Sequence, residues 1–163
     1  MQEVFAFIQS DKPEKALKKI EELIASASDA EIKAGLAGVK ISILIDTDPT
    51  EAAKQMRDLI GKTKDAEGLN GLAWSVVEAA QEKEKVPAEV IAVAIEAAEK
   101  AVKLAPKDGA VLDTLAHLLE LKGDLDKAIE LQKKAVELSP EVPQLKSYLK
   151  QLQSDKAKAA KGK

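Results

Sequence analysis

Apolar residues recur three and four positions apart through most of the chain. Leu17, Ile20, Leu23 and Ile24 mark one such stretch; Ile91, Ala94, Ile95, Ala98 and Val102 mark another. That spacing stacks side chains on one face of a helix. No stretch shows strand-like alternation, and the apolar run ISILI at 41–45 continues a helical pattern that begins at Ile32. Polar punctuation separates these segments. Asp11-Lys12-Pro13-Glu14, Ser28-Asp29-Ala30-Glu31 and Asp48-Pro49-Thr50-Glu51 read as capping boxes at helix starts. Pro49 falls at a first helical position, where its missing N–H costs nothing. Asp65, Asp108 and Asp124 read as further N-caps, and Gly61 and Gly123 as C-terminal glycines. The pattern predicts helices near 2–9, 12–26, 29–45, 49–61, 66–83, 88–104, 109–122, 125–138 and 141–153. Residues 154–163 (SDKAKAAKGK) read as a basic flexible tail.

Composition supports an all-α chain. Alanine occurs 27 times among 163 residues, against eight glycines, six prolines and four aromatic residues. Alanine at that level suits helices packed closely through small side chains, whereas a β-sandwich draws on Val, Thr and aromatic residues. With 45% hydrophobic and 33% charged residues, the chain can build a core. No apolar run approaches the roughly 18 residues of a membrane span. The opening MQEVFAFIQS has neither a basic region nor a small-residue cleavage site, so no secretory signal is expected there.

Absence of cysteine excludes disulfides, thiolate catalysis and cysteine-held metals from this sequence, and leaves the compartment unread. The net charge of −3 is unevenly spread: the last nine residues carry +3, leaving −6 for residues 1–154. A body of that sign repels nucleic acid, so neither nucleic acid nor membrane is expected as a partner.

Self-similarity organises the helices. Residues 109–142 carry Leu112, Leu115, Ala116 and Leu119 on a first helix, Gly123-Asp124 at a turn, then Ala128, Gln132, Ala135 and Pro140. Over its full length this segment resembles a tetratricopeptide repeat, with Gln132 standing where an aromatic residue is usual. Leu69, Leu72, Ala73 and Val76, with Ile91, Ala94, Ala98, Ala101 and Pro106, continue the pattern upstream. Equivalent second-helix alanines are Ala16, Ala52, Ala94 and Ala128, spaced by 36, 42 and 34 residues. The middle spacing implies an inter-helix insertion at QEKEKVPAE, residues 81–89. The resemblance implies an all-α, right-handed solenoid of antiparallel helix pairs, with about four repeats and a C-terminal capping helix. A single domain would span 1–153, with degenerate repeats in 1–65, clearer ones in 66–140 and the cap at 141–153. More narrowly, LNGLAW (69–74), AAEKAVKLAP (97–106) and residues 111–138 resemble the helical-repeat accessory domain of bacterial thioredoxin-like proteins, although no CxxC or βαβ pattern is present. That resemblance would make the chain an excised domain, periplasmic or secreted with its parent; otherwise the expected compartment is cytoplasmic.

Candidate chemistry is sparse. Asp113 and the single histidine, His117, lie four residues apart and can meet on one helix face. They form either an oriented base lacking a nucleophile or, more simply, a solvated or partner-contacting pair. One histidine with carboxylates makes a poor zinc site. Gly61-Lys62-Thr63 lacks the earlier glycine and strand of a phosphate loop, and Asp46-Thr47-Asp48 lacks the glycine and final glutamate of a calcium loop. No catalytic, cofactor or metal site is expected, so the chain is read as a non-enzyme.

What remains is a surface. By the repeat resemblance, first-helix positions lining a groove are Glu67, Asn70, Trp74, Val77 and Glu78, then Ala110, Asp113, His117, Glu120 and Leu121. Asn70, Trp74, Val77, Asp113, His117 and Glu120 form the candidate peptide groove. The competing reading puts Trp74 in the core and makes Asn70–Asp113 a structural hydrogen bond between repeats. The basic clamp that some family members use for C-terminal carboxylates is not reproduced. Function then reads as a protein-interaction or scaffold module with a peptide or protein partner, and alternatively as a self-association domain forming a weak homo-oligomer.

Overall fold

A computed structural model describes residues 1–82 and 85–161. Among these residues are nine α-helices and no strand: α1 (Gln2–Gln9), α2 (Pro13–Ser26), α3 (Ala30–Thr47), α4 (Pro49–Lys62), α5 (Ala66–Glu82), α6 (Ala88–Leu104), α7 (Gly109–Lys122), α8 (Leu125–Leu138) and α9 (Pro143–Lys161). Lys83 and Glu84 of the expected insertion lie outside the described residues, as do Gly162 and Lys163. No helix among the described residues is long and apolar enough to cross a membrane.

Most boundaries follow from their caps. Asp48 accepts from the Glu51 N–H at 3.0 Å, Asp65 from Gly68 at 2.7 Å, and Asp108 from Ala110 at 2.9 Å. Such bonds satisfy amide donors that the helix leaves unpaired. Asp29, rather than Ser28, caps α3 by accepting from Ile32 at 2.9 Å; the Glu31 side chain lies outside the described residues. Gly123 ends α7 in the left-handed region at φ 90°, a conformation glycine adopts without steric cost.

Three expectations fail locally. Asp11 does not cap α2: it turns left-handed at φ 53°, and Lys12 occupies the cap position without a side-chain bond. Gly61 does not end α4, which continues to Lys62 and closes at extended Thr63. The half-buried Lys100 ammonium meets this end, donating to the carbonyls of Ile60 at 2.6 Å and Thr63 at 3.2 Å, where the helix dipole favours a cation. The third concerns 154–163. Instead of a tail, α9 runs two further turns past Gln153 to Lys161, a stretch whose alanines and lysines are strong helix formers. Lys158 pairs with Asp155 at 3.0 Å along that helix, and Lys156 pairs with Asp126 of α8.

The helices pair antiparallel as α1–α2, α3–α4, α5–α6 and α7–α8, and stack into a right-handed solenoid closed by α9. Along the stack α5 lies between α3 and α7, while α6 lies on α4. Sandwiched helices need apolar residues on more than one face, which accounts for ISILI. Ile43 joins Val4, Ala16 and Ile20 in a core beneath α1 and α2, whereas Ile41, Leu44 and Ile45 face the larger core running from α3 to α9. Ala16, Ala52, Ala94 and Ala128 have no exposed surface, so the second-helix phase places all four at helix contacts. Gly109 serves the same close approach at the start of α7, since a Cβ there would lie 2.6 Å from the Ser139 hydroxyl.

Two stability outcomes follow. Ala128→Leu should overpack the α7–α8 contact and cost about 1–3 kcal/mol, read as a lower melting temperature by circular dichroism. Truncation after Gln153 should change stability by no more than about 0.5 kcal/mol, since the removed turns bury no large apolar side chain.

Candidate functional site

Helix α5 lies beside α7, and α9 packs on α8; together α5, α7 and α9 bring three rings into contact. Trp74 of α5 meets His117 of α7 edge-on, with centroids 5.4 Å apart and planes at 78°. His117 stacks on Tyr148 of α9 at 3.6 Å and 11°. The rings form a continuous wall across three helices; the edge-to-face contact of Trp74 with His117 is a geometry favoured for aromatic pairs, and Tyr148 lies nearly parallel on the imidazole. Trp74 is half-buried: its ring packs on the main core, and its indole N–H donates to exposed Glu78 at 3.1 Å. It therefore combines both readings drawn from the sequence, part core and part surface.

Beneath the wall lies a buried polar knot. Asp113 and His117 are not a solvated pair; their side chains are 17% and 18% exposed. The His117 Nδ1 lies 3.0 Å from the Asp113 backbone carbonyl and 3.6 Å from its carboxylate Oδ2. A carbonyl oxygen only accepts, so Nδ1 carries the hydrogen, leaving Nε2 as the acceptor of the neutral ring. The other carboxylate oxygen, Oδ1, accepts from Gln132 Nε2 of α8 at 2.6 Å, and the same amide donates to the Leu145 carbonyl of α9 at 3.2 Å. Burial holds the Asp113 carboxyl above the usual aspartate range, against the opposing pull of His117 and of the Gln132 bond.

This knot explains Gln132, the one departure from the repeat pattern. An aromatic residue there could not donate two hydrogen bonds, and Asp113 would lose its donor. The Asn70–Asp113 bond of the competing reading does not form: Asp113 turns to Gln132, and Asn70 Oδ1 has no partner. Val77 is also less a groove residue than expected. At 3% exposure it belongs to the core and shows only its edge. Glu120 does reach the wall, where Oε2 accepts from the Tyr148 hydroxyl at 2.7 Å. Burial and that carboxylate hold the Tyr148 phenol well above the usual tyrosine range, so it remains a donor.

Tyr148 and Gln132 were missed as wall or supporting residues, whereas Glu78 stood among the groove positions of α5. The only tyrosine of the sequence, standing in the closing helix, was the available signal for Tyr148. A cleft of about 200 Å³ opens where α5, α7 and α9 meet, lined by residues including Val77, Gln81, His117, Glu120, Leu121 and Tyr148. No group of three or more His, Cys, Asp or Glu side chains able to hold a metal occurs among the described residues.

The fold defines a tetratricopeptide-like α-solenoid. In sequence, the tetratricopeptide repeat family model matches residues 110–142, the segment containing α7 and α8. Solved structures that share the fold include two of MamA. One is MamA 41-end from Desulfovibrio magneticus RS-1, with a TM-score of 0.56 and 18% identity over 96% of this chain and 82% of that chain. The other is the MamA RS-1 ArsTM double mutant, with a TM-score of 0.55 and 17% identity over 95% of this chain and 82% of that chain. No curated protein sequence matches the chain.

The knot makes two checkable statements. Gln132→Ala should destabilise by about 2–3 kcal/mol, because it strips a buried carboxylate of its donor. In an Asp113→Asn background the same change should cost less, and a double-mutant cycle by urea denaturation measures the difference. For pH, Asp113 binds its proton more tightly folded than unfolded. Its contribution is therefore fullest below the ordinary aspartate range and is lost as pH rises through its raised native value. Asp113→Asn should gain stability relative to wild type across that rise and approach it at acid pH.

Proposed function

We propose that this chain is a non-catalytic scaffold module that grips a peptide segment of a partner protein on the wall formed by Trp74, His117 and Tyr148. The observation that carries this reading is the three-ring cluster itself, half-buried across three helices and anchored from below by Asp113 and Gln132. Aromatic anchors on a rigid concave surface supply contact area with little entropy left to lose, the usual character of interaction hot spots. A solenoid presents such positions in register, so an extended or helical segment can touch successive repeats. Asn70, Asp113, His117 and Glu120 flank or support the wall, and Val77 forms part of its floor.

The parent we propose is a thioredoxin-like protein carrying this module as an accessory domain, on the strength of the LNGLAW, AAEKAVKLAP and 111–138 segments. The wall would then recruit a client or partner to a redox domain elsewhere in that parent. A second reading, self-association, has its own support at the opposite end: Met1, Phe5 and Ile8 form an exposed apolar stripe on α1, with Phe5 at 54% exposure.

A random dodecapeptide library selected on the immobilised domain tests the groove. Enriched peptides should lose affinity by about 2 kcal/mol or more on Trp74→Ala and on Tyr148→Ala. Enrichment indifferent to both variants would place binding elsewhere. Light scattering separates the second reading: a mass that rises with concentration and returns to monomer on Phe5→Glu would favour self-association through α1.

A further inference from the structure

Resting on the groove reading, we infer that the cleft between α5, α7 and α9 receives the guanidinium of an arginine on the bound segment. Its size comes first. At about 200 Å³ the cleft falls below the range of drug-sized ligand pockets and suits a single side chain. Val77, Ala80 and Leu121 give it an apolar lining, against which the methylene stem of a long cationic side chain can lie.

Charge then selects the head group. Among the described residues, Glu120 is the one carboxylate lining the cleft, and neither lysine nor arginine lines it. Its Oε2 is taken by the Tyr148 hydroxyl, and no cation among the described residues pairs with it. Lys122, two residues on, lines a different cleft with Ile95, Glu99 and Lys127. A half-buried carboxylate without a counter-charge favours a cationic guest. Glu78, bonded to the Trp74 indole, places a second carboxylate on the same wall.

Shape and hydrogen bonding favour arginine over lysine. With Nδ1 of His117 committed to the Asp113 carbonyl, Nε2 is the ring atom left to accept; Glu120 keeps one oxygen not bonded to Tyr148, and the Gln81 and Gln151 side chains also line the cleft. A guanidinium brings five donors in one plane and stacks on aromatic faces, whereas an ammonium is a more strongly hydrated point charge. The stacked His117 and Tyr148 rings line the cleft into which that plane would slide.

The test uses an enriched dodecapeptide from the library, synthesised with arginine, lysine or leucine at its anchoring position and titrated against the fluorescence of Trp74, the only tryptophan. The arginine peptide should bind about tenfold or more tightly than the leucine peptide, with lysine between them. Glu120→Gln should weaken the arginine peptide by about tenfold while leaving the leucine peptide nearly unchanged. Tyr148→Phe keeps the ring and frees the second Glu120 oxygen, so it should retain the arginine preference, and circular dichroism confirms that each variant folds. Enriched peptides without arginine, or a Glu120→Gln loss equal for arginine and leucine, would overturn the inference and leave the groove standing. A library that yields no Trp74-dependent peptide would overturn both.

Discussion

The hydrogen bond from Gln132 to Asp113 is the contact on which the wall depends. It brings α8 to a carboxylate buried on α7, and the same amide reaches the Leu145 carbonyl of α9, so one side chain ties three helices. Burying that carboxylate is unfavourable, as its raised pKa records, and the tie is tolerated because both amide hydrogens are used. The amide oxygen of Gln132 is left buried without a partner, a local cost accepted for that geometry.

Orientation of the rings follows from this tie. Asp113 fixes His117 through its backbone carbonyl, and the placement of α9 brings Tyr148 flat against the imidazole. Trp74 closes the series from the preceding repeat, held at its indole N–H by Glu78. Alanines at the second-helix contacts let the helices lie close enough for rings on neighbouring first helices to touch. A peptide would therefore meet a preformed surface, and less of its binding energy would be spent on ordering side chains.

Helical periodicity and capping made the fold legible in the sequence: Asp48, Asp108, Asp124 and Gly123 act locally, and the structure places them at the ends they mark. Asp11 and Gly61 misled because a cap depends on the path of the next helix and on tertiary partners such as Lys100. The candidate site was half legible. Repeat phase located Trp74, Asp113, His117 and Glu120, since first-helix positions recur at fixed offsets. It missed Tyr148 because α9 was read only as a polar cap, and it noted Gln132 as a departure without a reason. The reason is a contact nineteen residues away in sequence, which no local pattern encodes.

The most direct test of this account is the tautomer of His117, read from a long-range proton–nitrogen correlation spectrum of the folded domain at a pH where the ring is neutral. The account predicts a hydrogen on Nδ1 and a bare Nε2, because Nδ1 must donate to the Asp113 carbonyl. A hydrogen on Nε2 with a bare Nδ1 would leave that carbonyl without its donor and contradict the anchoring of the wall.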